Sequence, residues 1–118
     1  MLHISALMLA AALLRATPAG GEPPKLVGTV GPGFTITLKW LDKPVRILKP
    51  GTYSITVSDR SNIHNFHLRG PGVNTEITSI KFVGTKSVTV KLKKGTYMFV
   101  CDPHFTTMKG AFRVRSGS

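Results

Sequence analysis

Cys101-Asp102-Pro103-His104-Phe105-Thr106-Thr107-Met108 holds the chain's single cysteine, a histidine three residues later and a methionine four beyond that. Thiolate, imidazole and thioether are side chains that soft copper prefers. Residues 95–100 form an apolar run that reads as a strand, and Lys109-Gly110 opens another. Three ligand types therefore sit on one short inter-strand loop. A set of two histidines, one cysteine and a weak axial methionine still lacks a histidine. Ile63-His64-Asn65-Phe66-His67, upstream, offers it.

Strand periodicity sorts the two upstream histidines. With a period of two, His64, Phe66 and Leu68 share one face, and Asn65, His67 and Arg69 share the other. His64 then sits above two core residues, while His67 points away. Each candidate also has an ordinary reading. A lone cysteine is most often a small buried hydrophobe, and Met108 could simply fill a core gap. His104 could be a solvated loop residue. Their company on one loop favours a metal, because Cys-x-x-His spacing lets both residues reach one ion. Met98, on the strand before Cys101, reads as core.

At these positions the chain resembles the cupredoxins, the blue copper proteins that include plastocyanin, pseudoazurin and amicyanin. The family pattern is a His-Asn pair on one strand and a Cys-x-x-His, short loop, Met near the C-terminus. His64-Asn65 matches the first part; Cys101, His104 and Met108 match the second. Met108-Lys109-Gly110 fits the start of the last strand, which favours Met108 over Met98 for the axial position. The resemblance covers residues 34–115. It implies one type 1 copper ion held by His64, Cys101, His104 and Met108. It also implies that Asn65 ties the two ligand loops together, with Asp102 taking part, and that electrons pass through His104 beside Pro103 and Phe105.

The rest of the chain suits that fold class. One domain is the prior for 118 residues. With Gly 12 and Pro 8, many Thr and Val, and turn signals at short intervals, an all-β chain is favoured over a helical one. Residues 26–30 read as a first strand ending at Gly31-Pro32-Gly33. Residues 34–38 alternate apolar and polar, as a half-buried strand does. Residues 40–44 read as a turn, 45–48 as a short edge strand, and 53–57 as another alternating strand. One or two strands are expected in 75–83, then strands at 87–92, 97–100 and 110–115. Seven to eight strands joined by frequent turns describe a Greek-key β-sandwich.

Residues 4–14 are apolar but short for a bilayer span. Thr17-Pro18-Ala19 supplies small residues for signal-peptidase cleavage, so 1–19 is expected to be a secretory signal. Residues 20–25 are expected to be a flexible leader, and 26–118 the copper-binding domain. No basic residue precedes the apolar run, so an upstream start or an uncleaved membrane anchor is the alternative. Either way the domain is exported, to the periplasm or beyond. A lone cysteine outside the cytoplasm cannot form an internal disulfide, and a metal is its natural occupant.

The formal net charge is +11, and losing residues 1–19 removes only Arg15, leaving +10. Nucleic acid is a poor partner for this chain: aromatics are few, the cations alternate along strands, and no nucleic-acid motif is present. The expected partner of this monomer is a redox protein with an acidic docking face, or an anionic membrane surface. Three strong ligands and one weak one leave no open position for a substrate. An exported single-electron carrier is therefore the first expectation, and a copper storage or delivery module the alternative. A multicopper oxidase would need His-x-His motifs, and the chain has none.

Overall fold

The computed structural model describes residues 21–117; the expected signal at 1–19 lies outside them. Ten strand segments are present among these residues: β1 (Lys25–Val30), β2 (Ile36–Trp40), β3 (Lys43–Pro44), β4 (Ile47–Leu48), β5 (Gly51–Asp59), β6 (Phe66–Gly70), β7 (Val73–Thr78), β8 (Gly84–Leu92), β9 (Gly95–Val100) and β10 (Lys109–Val114). They form two five-stranded sheets, ordered β3-β2-β1-β5-β8 and β4-β10-β9-β6-β7. The fold is a Greek-key β-sandwich.

Strand β5 shows why the sequence folds this way. Tyr53, Ile55, Val57 and Asp59 are buried, while the Thr and Ser residues between them are not. One face of the pleat meets the opposite sheet and the other meets water. Between the sheets, Phe66 stacks on Phe99 at 5.7 Å and Tyr97 on Phe112 at 5.4 Å. These near-parallel rings bring large apolar areas together, and the one polar atom among them, the Tyr97 hydroxyl, donates to Pro71 O at 2.7 Å and accepts the Lys93 N–H at 2.9 Å. Gly28 faces this stack because a Cβ there would stand 2.9 Å from the Phe66 ring.

Several expected boundaries move. Phe34 and Thr35 lie before β2, and Phe34 is 58% exposed instead of alternating into the core. The expected edge strand at 45–48 splits, with only Ile47–Leu48 pairing, parallel to β10. Pro24 and Lys25, expected in the leader, already belong to the sheet: Pro24 O accepts the Ser54 N–H, and Lys25 begins β1 beside β5. Met98 is 39% exposed, on the outer face of its sheet, so it is not core. Its neighbours Tyr97 and Phe99 took the inward positions, and alternation left Met98 outside.

Strand registers define two poles. Val30 pairs with Asp59, which pairs with Gly84, at one end; Gly51 pairs with Leu92 at the other. Along the nine residues of β5 the poles are about 26 Å apart, at ~3.3 Å per residue.

Candidate metal centre

The 31–35, 60–65 and 101–108 loops meet at the Val30–Asp59 pole. The β9–β10 ladder pairs Val100 with Lys109, so Cys101 and Met108 stand opposite each other. Their backbones are joined by the Cys101 N–H donating to Met108 O at 3.0 Å. Alternation turns both side chains inward, where each is almost wholly buried. Between them Asp102–His104 form a single 3₁₀ turn, with Pro103 near its start supplying a preset φ. The turn is closed by His104 N–H to Cys101 O at 3.0 Å and Met108 N–H to His104 O at 2.8 Å. This geometry folds His104 back over Cys101.

His64 completes the cluster from the loop before β6. Its Nδ1 lies 3.1 Å from His104 Nδ1 and 3.6 Å from Cys101 Sγ, and the remaining side, Cys101 Sγ to His104 Nδ1, is 3.5 Å. Given those three separations, the point equidistant from the atoms lies about 2.0 Å from each. Metal–imidazole bonds are about 2.0–2.1 Å and metal–thiolate bonds about 2.3 Å. Ordinary hydrogen bonding does not satisfy this cluster. A thiol is a weak donor, and only one of the two Nδ1 atoms can donate to the other. A soft cation at the centre would engage all three atoms. The residues fit copper.

A polar network braces the cluster from behind. Asn65, fully buried, spends both amide protons, one on Glu76 Oε2 at 2.7 Å and one on Asp102 Oδ2 at 2.8 Å. Its carbonyl oxygen accepts the Asp102 N–H at 2.7 Å. The loop before β6 and the Cys101–Met108 loop are thereby fastened together. Asp102 also accepts from His67 Nδ1 at 2.8 Å and from Arg69 at 2.7 Å, and His67 reaches on to Asn74. Partial burial alone would raise the Asp102 pKa. The hydrogen bonds from Asn65 and His67, with the charges of His67 and Arg69, outweigh it and hold the carboxyl below its usual value.

In front, the cluster is capped by an aromatic ring. Phe34 stands edge-on to His64 at 5.0 Å and to His104 at 4.7 Å between centroids. His104 is half-buried, with Pro103 and Phe105 exposed beside it; Phe105 is 61% exposed.

The structure thus brings together His64, Cys101, His104 and Met108, with Asn65 and Asp102 behind them and Pro103 and Phe105 at the rim. Two neighbours are engaged more closely than alternation alone shows. Asn65 shares its side with His67 and Arg69, all three bonding the Asp102 carboxylate, but this side is covered at Asn65, which is fully buried; a bulge between Phe66 and His67 shifts the strand's register there. His67 points away from the cluster, as expected, and is engaged through Asp102 and Asn74. Sequence reasoning missed Phe34 and Glu76. Phe34 was hidden in an alternating pattern, although the Gly31-Pro32-Gly33 turn just before it was a warning that the strand starts later. Glu76 carries no local signal, because its contact depends on the pairing of β6 with β7.

Fold and site together define a small copper protein built on a β-sandwich. The chain belongs to the plastocyanin/azurin family of copper binding proteins, whose pattern its residues 33–115 match. Its cofactor is copper, and His64, Cys101 and His104, with Met108, form a type 1 copper-like site. Among solved structures it is similar to rusticyanin from Thiobacillus ferrooxidans, at 23% identity over 92% of this chain and 94% of that one, with a TM-score of 0.58. Reduced rusticyanin gives 24% identity, 92% and 96% coverage and the same TM-score, 0.58. A Cu(I) amicyanin variant gives 22% identity, 78% and 83% coverage and a TM-score of 0.50. Among curated protein sequences none matches.

Proposed function

We propose that this protein is an exported single-electron carrier. In this reading His64 Nδ1, Cys101 Sγ and His104 Nδ1 hold the ion, and Met108 is the weak axial ligand. Copper bound there supplies a one-electron Cu(II)/Cu(I) couple. The chain's own contribution is to keep its donors still. Met108 and Cys101 are fixed by the ladder, His104 by the 3₁₀ turn, and His64 by Asn65 next to it. Donors that hardly move between oxidation states keep the reorganisation that accompanies each electron small. Family members are in general electron carriers and not enzymes, and three strong donors in a buried site leave no position for a substrate.

Half-buried His104 is the observation that carries this proposal. It is the donor that reaches the surface, and Phe34, Pro103 and Phe105 ring it with apolar area. A partner pressed on this rim would exclude water and stand within a side chain's length of the ion. An acidic face on that redox partner would find Arg60, Lys86 and Lys109, all exposed near this pole. A storage or delivery module would need to release its ion; a wholly buried Cys101 braced through Asn65 is poorly built for that.

The test is the reduction potential and the self-exchange rate of the copper-loaded protein. Fast, reversible exchange is expected. A sluggish couple, or copper lost to a mild chelator on reduction, would favour copper handling instead.

A further inference from the structure

Besides Arg60, Lys86 and Lys109 at the copper end, a larger group of cations lies at the opposite pole. Lys39, Lys43, Lys49 and Arg115 lie at the Gly51–Leu92 pole, and the β8–β9 turn adds Lys93 and Lys94. That is about 26 Å from the His104 end along β5, more than two screening lengths at 0.1 M salt, each about 10 Å. Both ion pairs among the described residues involve Asp102, at the copper end. Exposed Asp42, next to Leu41 in the β2–β3 turn, offsets one of this pole's positive charges without forming an ion pair, and the cations still outnumber it.

The same pole exposes apolar side chains. The β2–β3 hairpin presents Leu41, 80% exposed, at its tip, with Trp40 beside it and Ile47 nearby, 37% and 52% exposed. Leu41 also has φ 52°, a left-handed backbone that two-residue hairpins normally give to Gly or Asn. A leucine there bears steric strain and meets no core, so its side chain is being held outward. Trp40 and Ile47 line a groove of about 590 Å³ together with Pro24. The chain therefore enters the fold at this pole, and the apolar run at 4–14 lies upstream of that entry. Among the described residues no helix is long and apolar enough to cross a membrane.

We propose that this pole is a docking surface for an anionic lipid bilayer, with Trp40 and Leu41 entering the headgroup region between Lys39 and Lys43. A tryptophan and an aliphatic tip among lysines suit the interface, where the ring meets both apolar and wet surroundings and the ammonium groups meet lipid phosphates. The orientation leaves His104 facing away from the membrane, free for a partner. This proposal does not depend on the copper function.

Trp40 is the only tryptophan in the chain, so its fluorescence reports this contact alone. The full-length protein is mixed with phosphatidylcholine vesicles, with or without 30% phosphatidylglycerol (about a third), some carrying brominated acyl chains. A blue shift and bromine quenching of Trp40 are expected on the anionic vesicles and not on the neutral ones. Lys39→Gln with Lys43→Gln should weaken that partitioning about 25-fold, at roughly fivefold per lysine. Leu41→Ser should reduce the quenching with the fold unchanged by circular dichroism. Vesicle-bound protein whose Trp40 stays unshifted and unquenched would overturn the proposal, because an upstream segment alone would then be holding it. An absence of vesicle binding, or equal quenching by neutral vesicles, would overturn it too.

Discussion

Replacing Asn65 with alanine should destabilise the metal-free protein far more than an exposed asparagine would. The side chain makes three hydrogen bonds, two of them to carboxylates, while fully buried. Bonds to charged groups contribute about 1.5–3 kcal/mol each, and an orphaned buried N–H costs about 1–3 kcal/mol. Water entering the vacated space recovers part of this, leaving an expected loss of about 3 kcal/mol. For a domain of this size that corresponds to a fall in Tm of about 12–24 °C. The assay is urea unfolding of chelator-treated protein, followed by circular dichroism. Asn74→Ala removes the exposed bond to His67 and serves as the comparison, with an expected cost under about 1 kcal/mol. Asn65→Ala with Asp102→Ala should couple by about 1 kcal/mol, because the Asp102 carboxylate accepts one Asn65 amide proton, while the Asp102 backbone N–H that bonds Asn65 Oδ1 survives the alanine substitution. If Asn65→Ala costs no more than Asn74→Ala, the loops are not fastened through Asn65; an additive double variant would mean that its bond to the Asp102 carboxylate carries none of that fastening.

Two pairs of substitutions separate neighbours that look alike in sequence. His64→Ala should abolish the normal visible spectrum of the copper-loaded protein, whereas His67→Ala should keep the colour and lose some stability through Asp102; visible absorption and thermal melts distinguish them. Met108→Leu should keep copper and colour and raise the reduction potential, since a donor that favours Cu(II) is removed. Leucine and methionine are close in volume, so its stability cost should stay below about 1.5 kcal/mol. Met98→Leu, on the outer face, should leave the potential where it was, and cyclic voltammetry reads both.

How much of this was legible in the chain varied with the range of the interaction. Local alternation was enough to place β5, β8 and β9 to within a few residues and to suggest a sandwich. The Cys101–Met108 loop was legible because its donor types are rare and adjacent. Alternation failed where a turn intervened: Phe34 continues the pattern of 34–38, yet the chain does not enter β2 until Ile36. It held from His64 to Arg69, where Asn65, His67 and Arg69 all reach Asp102, but alternation gave no sign that this side is covered at Asn65. Glu76 and the split of the cations between two poles depend on strand pairing. No window of sequence contains that information.

The identity of the centre is tested most directly by titrating Cu(II) into the chelator-treated protein and recording the visible spectrum. One equivalent should bind, with an intense band from thiolate-to-copper charge transfer, and Cys101→Ser should lose that band while its far-ultraviolet circular dichroism stays unchanged. A wild-type protein that binds copper without colour, or a Cys101→Ser variant that remains blue, would contradict it.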